Sequence, residues 1–308
     1  MKAQSAAVPV ETGPDAGAPW HYGDPYAEQK ALAAGTAAVD LSHRPVVQIA
    51  GEDRLTWLHA LTSQHLTALP PGQWTQALIL SPHGHVEHHL TLIDDGVAVR
   101  AHVEPGTAAA LLAYLRSMLF WSNVELADVS EQYGLLRSQG GEELVPAHMV
   151  AERLADYERP AGLWAAEALR VEAGTPRMGF ETDHRTIPAE VGWIGPAVHL
   201  DKGCYRGQET VARVHNLGRP PRRLVQLHLD GSDSQLPAHA DAVVSADGRT
   251  LGFVGTAARH HELGPIALAL VKRTVEDGDP LTVVCQCSPG QVIAATCSTP
   301  EALADRPQ

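Results

Sequence analysis

The amino-acid sequence predicts a mixed α+β protein, and two stretches of the chain carry that prediction. Over residues 46–129 the order of segments is strand, helix, three strands, helix and strand, which is typical of a ferredoxin-like unit. Beyond the connector at 216–223, short β-branched runs alternate with frequent turn residues, which favours a small β-barrel. With 308 residues and 44% hydrophobic content the chain can form several cores, and we expect three domains.

The elements of the first stretch follow from hydrophobic periodicity and turn residues. A strand is predicted at 46–49, and Leu55, Leu58 and Leu61 at helical spacing predict a helix after it. The remaining predicted elements are strands at 76–80, 86–93 and 97–103, a helix at 107–120 and a closing strand at 124–129. Residues 1–19 lack periodicity and are rich in small residues and proline, so we expect a disordered tail there.

The second half of the chain begins with a helical pattern at 163–171. Gly174 is suited to end this helix, because glycine readily adopts the left-handed conformation of a C-terminal cap. The connector at 216–223 contains Pro220 and Pro221, which fix φ and mark a domain boundary. The strands predicted beyond this connector lie at 224–229, 242–245, 250–254, 266–270, 281–285 and 292–297.

The most distinctive segment is residues 202–209, which read Lys-Gly-Cys-Tyr-Arg-Gly-Gln-Glu. The thiolate is the reactive form of cysteine, and Lys202 and Arg206 would favour it at Cys204 if both cations face inward. Two glycines in the segment allow positive φ and close approach of the backbone to a ligand. The pattern therefore indicates a functional site with Cys204 and Lys202 as its reactive groups. The alternative is a tight, solvated turn with a structural cysteine.

This octapeptide resembles the Lys-Gly-Cys-Tyr-x-Gly-Gln-Glu signature of the YgfZ family of folate-binding proteins. Residues 168–179 and 187–192 are similar to the Leu-Arg-(Ile/Val)-Glu-x-Gly and Pro-x-Glu elements that YgfZ shares with glycine-cleavage T-protein, an aminomethyltransferase. The related T-protein loop reads roughly Lys-x-Asp-Phe-x-Gly-(Lys/Arg)-Glu. Because position 204 is cysteine and not aspartate, this chain resembles YgfZ more than T-protein. The resemblance covers about residues 20–297 and is dense at 162–219.

The resemblance implies a three-domain, cloverleaf-like architecture with folate in a central opening. The implied parts are a split first domain at 20–45 and 130–215 that carries the motif, a ferredoxin-like domain at 46–129, a β-barrel at 216–298 and a tail at 299–308. Tetrahydrofolate or a derivative is the implied cofactor.

A reduced pterin presents a row of N–H donors, which one buried carboxylate can accept in bidentate fashion. Glu172 corresponds to the T-protein motif position expected to do this, and Glu190 is the second candidate; the alternative for Glu172 is an exposed glutamate near a helix end. Lys202, Arg206 or Arg213 would bind the glutamyl carboxylates of folate. The folate-binding set is completed by residues in and beside the motif, namely Trp193, Tyr205, Gln208 and Glu209.

The function implied by the resemblance is tetrahydrofolate binding in support of iron–sulfur cluster assembly or repair, with iron–sulfur proteins or cluster-assembly proteins as partners. In T-protein, aminomethyl transfer depends on an aspartate after an Asn-Ala pair. The corresponding residues 99–107 contain His102 and Glu104 but neither an aspartate nor Asn-Ala, so the acid/base of the transferase is predicted to be missing. Two alternatives stay open: a folate-dependent aminomethyltransferase or demethylase in which Glu104 or Cys204 replaces that acid, and a non-catalytic adaptor that retains the fold.

Composition excludes several other classes. A net charge of −13 disfavours general nucleic-acid binding, which needs a concentrated basic surface. The sequence has no apolar run of membrane-spanning length and no secretory h-region, so we expect a cytoplasmic protein with no membrane partner. Four cysteines are too few for a disulfide framework, and no Gly-x-Gly-x-x-Gly, Walker or Gly-x-Ser-x-Gly motif occurs.

Two groups of metal-ligating residue types carry no metal prediction. The histidine-rich segment 83–89 has a spacing that does not direct three ligands to one point, so we expect solvated hairpin histidines. Cys285, Cys287 and Cys297 lack a fourth ligand for a closed zinc site, and we expect buried strand cysteines.

Overall fold

A computed structural model describes residues 6–232, 235–286 and 291–304, and the chain divides into two compact units. Unit 1 comprises Met1–Leu163 and Ile194–Thr210, and unit 2 comprises Trp164–Trp193 and Val211–Gln308. Each unit has its own buried apolar core. No helix in the described residues is both long and apolar enough to cross a lipid bilayer.

Unit 1 begins with a short hairpin that the sequence did not reveal. Strand β1 (Val8–Pro9) pairs with β2 (Pro19–His21). The connection between them is held by an ion pair of 3.0 Å between Asp15 and His43. The predicted disordered tail is therefore wrong for its described part, because this long-range ion pair and the hairpin order a segment that has no periodicity of its own.

A four-stranded sheet joins segments from both sides of the predicted ferredoxin-like unit. Across the sheet its strands are β10 (Gly141–Pro146), β9 (Tyr133–Ser138), β3 (Ala37–Asp40) and β11 (Arg159–Ala161). Helices α1 (Pro25–Ala33) and α4 (Val150–Leu154) accompany it. The parallel pairing of β11 with β3 brings together chain segments more than a hundred residues apart, as a split domain requires.

The ferredoxin-like unit forms as predicted. Across its antiparallel sheet the strands are β5 (Trp74–Leu80), β6 (Val86–Asp94), β7 (Ala98–His102), β4 (Val46–Ala50) and β8 (Glu125–Asp128). Helix α2 (Arg54–Leu61) connects β4 to β5, and α3 (Ala108–Ser117) connects β7 to β8. The first strand thus lies between the last two, as in ferredoxin-like folds, and one additional strand extends the meander. The leucines and valines of both helices and of the central strands fill the core of this unit.

Unit 2 contains the barrel and the helices around it. Helix α5 (Leu163–Glu172) ends as predicted at Gly174, whose φ is +64°. Helix α6 (Gln208–Leu217) starts in unit 1 and precedes the barrel in sequence. Helix α7 (Glu301–Ala304) follows the last barrel strand. The closed barrel consists of β12 (Arg222–Leu229), β15 (Gly264–Lys272), β14 (Thr250–His260), β13 (Ala242–Val244), β16 (Pro280–Val284) and β17 (Val292–Ser298), which pairs back to β12.

The barrel differs from its prediction mainly in the length of β14, which extends to His260 instead of ending at residue 254. Pairing with β15 imposes this extension, because Ala257, Ala258 and Arg259 have little strand preference of their own. Cys285 and Cys297 are buried in the barrel, as expected. Cys287 lies outside the described residues.

Candidate functional site

The motif loop at 202–207 is fixed at its start by Lys202. This side chain is only 5% exposed, and its ammonium donates hydrogen bonds to the carbonyl oxygens of His59, Thr62 at 2.5 Å and Gln64 at 3.3 Å. These oxygens belong to the last turn of α2 and the residues after it, where carbonyls lack helical partners and attract cations. Burial lowers the pKa of Lys202 to about 8. Lys202 therefore acts as a clamp between the motif loop and α2.

The second cation of the motif is paired with a carboxylate. Arg206 donates to Glu87 on β6 at 2.9 Å, and both side chains are about one-third exposed. Both flanking cations are thus bonded to oxygens of unit 1, and neither donates a hydrogen bond to Cys204 in the described structure. The hydrogen bonds of Lys202 and Arg206 are made to other oxygens, and activation of the Cys204 thiol by these two cations stays a prediction.

The end of the loop is fixed by a close backbone contact. Gly207 has φ +82°, and a Cβ atom there would lie 2.5 Å from the carbonyl oxygen of Ser81. Gly203 has no neighbouring atom within 4 Å of its Cβ direction and no left-handed φ. The predicted need for glycine therefore holds at position 207, where the loop packs on the turn after β5, and not at position 203.

Between these two attachments lies an exposed thiol. Of the cysteines that the structure describes, Cys204 is exposed whereas Cys285 and Cys297 are buried. Its neighbour Tyr205 is buried, with its ring 5.1 Å from the Lys202 ammonium, and burial raises the pKa of Tyr205 to about 12. The loop thus presents one accessible sulfur on a firmly held backbone, which suits a nucleophile or a ligand for a soft metal.

Glu172, the first candidate for pterin recognition, was predicted to be buried, but it is an exposed glutamate at a helix end, which is the alternative named above. It is the last residue of α5, and its side chain is 45% exposed. One carboxylate oxygen lies 3.3 Å from Nε2 of His260, a fully buried ring on the barrel. Nδ1 of His260 accepts from the backbone N–H groups of Glu262 and Leu263, which places the proton of the neutral ring on Nε2. The carboxylate of Glu172 therefore lies beside the N–H side of this ring and is open to solvent.

Glu190 is buried but fully engaged. Its two oxygens accept from Nε and Nη2 of Arg222, each at 2.8 Å, and Oε2 also accepts from the backbone of Ile187 at 3.1 Å. Arg222 is the first residue of β12 and also pairs with Asp183 at 2.6 Å. Glu190 therefore joins the segment before α6 to the barrel, which is a structural role.

The other predicted residues divide between the two units. Trp193 is buried and belongs to unit 2, as does Arg213, which is exposed on α6. Gln208 and the exposed Glu209 form the first turn of α6 and belong to unit 1. The folate-recognition candidates Glu172, Glu190, Trp193 and Arg213 are thus in unit 2, and the loop that contains Cys204 is in unit 1.

His102 and Glu104, in the segment that corresponds to the transferase acid, are buried in unit 1, and each contacts a side chain that can carry charge. Nε2 of His102 lies 2.8 Å from Glu142, and Glu104 lies 3.4 Å from Arg44. Although burial alone would raise it, the hydrogen bond with His102 and the charge of Arg137 hold the pKa of Glu142 far below its usual range. Burial in turn lowers the pKa of His102. Both His102 and Glu104 are buried, and Nδ1 of His102 has no hydrogen-bond partner in the described structure.

The histidine-rich hairpin is only partly solvated, in contrast to its prediction. His89 is half-buried, with Nε2 at 3.0 Å from Oε1 of Gln76, and burial lowers its pKa to about 4. Within the described ranges, no group of three or more histidine, cysteine, aspartate or glutamate side chains is arranged to hold a metal ion.

Sequence reasoning missed a buried charge network behind Glu172. Arg170 on α5 pairs with Glu167 at 2.8 Å and with Glu181 at 3.0 Å, and Arg177 pairs with Glu167 at 3.3 Å. Gly255 leaves the space for this network, since a Cβ there would lie 2.5 Å from Oε1 of Glu181. The spacing of Glu167 and Arg170 by three residues was a local signal of one pair, but the partners at 177 and 181 had none. The network stiffens the end of α5 that presents Glu172.

Comparison with known proteins identifies the fold. Residues 222–302 match the family of the glycine cleavage T-protein C-terminal barrel domain. The solved structure of glycine cleavage system aminomethyltransferase T from Bartonella henselae superimposes on this chain with a TM-score of 0.80 at 18% sequence identity. The match covers 99% of this chain and 95% of the Bartonella chain. The chain therefore has the aminomethyltransferase fold, and the predicted fold class is confirmed.

The proteins that resemble this chain in sequence include some that are named as transferases and one that is named as an iron–sulfur cluster assembly factor homolog. An aminomethyltransferase of Nostoc sp. is 26% identical over 83% of this chain and 82% of its own length. A mitochondrial iron–sulfur cluster assembly factor IBA57 homolog of Mycosarcoma maydis is 28% identical over 60% of this chain, and a chloroplastic protein of Arabidopsis thaliana named as a transferase is 24% identical over 71% of it. These two matches span 55% and 61% of the relatives' own lengths, respectively. The chain thus has an aminomethyltransferase-like fold, and its relatives in sequence include aminomethyltransferases and an iron–sulfur assembly factor homolog.

Proposed function

We propose that this protein is a YgfZ-type protein that binds tetrahydrofolate or a derivative and supports iron–sulfur cluster assembly or repair. The observation that carries the proposal is the exposed Cys204 on a loop held at both ends, by Lys202 and by Gly207. A merely structural cysteine would be buried, like Cys285 and Cys297. An accessible sulfur on a fixed backbone is instead suited to react or to bind a soft metal, and iron–sulfur clusters are held by cysteine sulfur.

The described residues of unit 2 are compatible with folate recognition. Glu172 has an exposed carboxylate beside His260, and its solvent-facing side can accept the N–H donors of a pterin. Glu190 is a weaker candidate, because Arg222 and Ile187 already occupy both of its oxygens. Arg213 is exposed and has no ion-pair partner within the described part of the chain, so it is available to the glutamyl carboxylates. When bound, a reduced folate would supply one-carbon carrier chemistry.

The relationship to an iron–sulfur assembly factor supports the cellular role. The fungal factor is about as similar in sequence as the aminomethyltransferases, which are 24–28% identical. The motif with cysteine at 204 is the feature that separates YgfZ from T-protein, and the structure presents that cysteine to solvent. Partners would be iron–sulfur proteins or their assembly proteins.

A folate-dependent aminomethyltransferase is the second candidate, because several relatives with that name cover 79–86% of this chain. The burial of His102 and Glu104 and their contacts with Glu142 and Arg44 argue against it, since neither side chain is exposed where the transferase would need an acid. Turnover of an aminomethylated lipoyl carrier to methylene-tetrahydrofolate, at a rate comparable with an authentic T-protein, would select this alternative.

The decisive experiment separates binding from the role of the thiol. In cells that lack their own YgfZ-type protein, we expect the wild type to restore iron–sulfur enzyme activity and Cys204→Ser to fail. By calorimetry both proteins should bind tetrahydrofolate with equal affinity. Full restoration by Cys204→Ser would contradict the role of the thiol, and lack of tetrahydrofolate binding by the wild type would contradict folate recognition.

The carboxylate is tested in the same assay. Glu172→Gln should weaken tetrahydrofolate binding by roughly tenfold or more, because a charged acceptor of a hydrogen bond contributes about 1.5–3 kcal/mol. Glu262→Gln is the matched control, since Glu262 is an exposed glutamate on the turn that holds His260. Equal affinities of the Glu172 variant and the wild type would eliminate Glu172 as the pterin acceptor.

A further inference from the structure

Two neighbouring aromatic side chains of unit 1 are exposed on the loop between α3 and β8. Phe120 is 78% exposed and Trp121 is 99% exposed. Aromatic side chains of this size contribute strongly to cores and interfaces when they are buried. An exposed pair of them at one point of the surface is typical of an interaction site.

The loop that contains these aromatics is anchored on both sides. Before them, the indole N–H of Trp57 donates to the carbonyl oxygen of Met118 at 3.3 Å. After them, the backbone N–H of Asn123 donates to Asp53 at 2.7 Å, and Gly51 permits this approach because a Cβ there would lie 2.1 Å from the Asn123 oxygen. The backbone on both sides of Phe120 and Trp121 is thus fixed before any partner arrives, which reduces the entropy lost on binding.

The surface beside the aromatic pair is acidic. Exposed Glu125 begins β8, which is an edge strand of its sheet in the described structure, and exposed Glu52 lies in the turn that anchors the loop. Asp128, three residues after Glu125, is on the opposite face of the strand. Arg116 is the exposed cation on the preceding helix. Such a surface repels the anionic headgroups of a membrane. It would also repel a second copy of itself in a symmetric contact, where like charges face each other.

From these observations we propose that Phe120, Trp121 and the neighbouring carboxylates of Glu52 and Glu125 form a docking site for another protein. The partner would have an apolar pocket for the indole, bordered by lysine or arginine side chains. Tryptophan at the centre of such a contact commonly contributes a large share of the binding energy. This inference rests on unit 1 alone and does not depend on folate binding or on Cys204.

The first test uses a photo-crosslinking amino acid in the full-length chain expressed in cells. The probe is placed at position 121 or, as a control, at position 97, because Val97 is also an exposed apolar residue of unit 1 at 76%. We expect a discrete product at position 121 that contains this chain and one other protein, and no such product at position 97. No product, the same products at both positions, or a crosslinked dimer of this chain alone would overturn the proposal.

The second test measures affinity for the purified partner. Trp121→Ser should weaken binding by about tenfold or more, and Glu125→Lys should weaken it by several-fold and reduce its dependence on salt. Val97→Ser should bind like the wild type. Unchanged binding by Trp121→Ser would overturn the proposal. Binding of the wild type, but not of Trp121→Ser, to phosphatidylserine vesicles would assign the aromatic pair to a membrane instead.

Discussion

At the scale of single residues, Lys202 shows how a charged side chain of the motif can hold a loop in place. Its ammonium is buried against carbonyls from the end of α2, and these three hydrogen bonds replace the water that burial removes. The residue that the motif suggests as an electrostatic partner of Cys204 therefore acts as a clamp for the loop, and its ammonium group hydrogen-bonds to carbonyl oxygens.

Lys202→Met is expected to destabilise the protein by about 2–4 kcal/mol, because it leaves buried carbonyl oxygens without donors. Urea unfolding would measure this loss. Lys30→Met is the control, since Lys30 is an exposed lysine of α1 whose loss should change stability by no more than about 0.5 kcal/mol. Equal stability of the two variants would show that the clamp contributes nothing.

Alkylation should distinguish the cysteines by exposure. In the native protein we expect iodoacetamide to modify Cys204 well before Cys285 and Cys297, since the first is exposed and the other two are buried. Burial also raises the pKa of Cys297, which reduces its thiolate fraction further. Peptide mapping by mass spectrometry gives the order of modification, and simultaneous modification of these three residues would contradict the described burial.

At the scale of elements, the start of α6 is set by its contact with the hairpin turn between β5 and β6. Gly84 in that turn and Gly207 in the motif approach each other so closely that neither has room for a side chain. The position of the motif loop thus depends on a turn more than a hundred residues earlier in the chain.

Gly207→Ala is expected to cost about 1–3 kcal/mol, because alanine would take on a left-handed φ and meet the Ser81 oxygen. Gly203→Ala, which changes the same motif in open space, should be nearly neutral. Urea midpoints compare the two variants, and the alkylation rate of Cys204 reports whether the loop has moved. A Gly203 variant as unstable as the Gly207 variant would refute the assigned contact.

At the scale of the whole molecule, stability depends on pH through two histidines of unit 1, the half-buried His89 and the buried His102. Burial lowers the pKa of His89 from 6.5 to about 4 and lowers that of His102 as well. Between about pH 4 and pH 6.5, His89 is protonated in the unfolded chain and neutral in the folded chain. Stability is therefore full near neutral pH and falls as the pH decreases from about 6.5 to about 4.

Replacing His89 should reduce this acid sensitivity. We expect wild-type stability to fall by about 1–2 kcal/mol between pH 7 and pH 5 through His89 alone, and His89→Gln to lose that part of the dependence while it keeps a hydrogen-bonding group near Gln76. Urea unfolding at the two pH values measures the difference. An identical loss in the variant would show that His89 does not contribute.

The sequence by itself predicted the elements of the ferredoxin-like unit and of the barrel, and their order. The strand and helix pattern of 46–129, the six barrel strands and the cap at Gly174 are all local in origin, because periodicity, β-branching and turn residues act within a few positions. The motif at 202–209 likewise identified Cys204 as the accessible thiol.

Only the tertiary structure decided which partner each polar group has. Lys202 is bonded to carbonyls about 140 residues earlier, His102 is bonded to a glutamate 40 residues later, and the carboxylate of Glu172 lies 3.3 Å from a histidine of the barrel. Hydrogen bonds and ion pairs are satisfied by whichever group folding brings within about 3 Å, and local sequence contains no record of that distance.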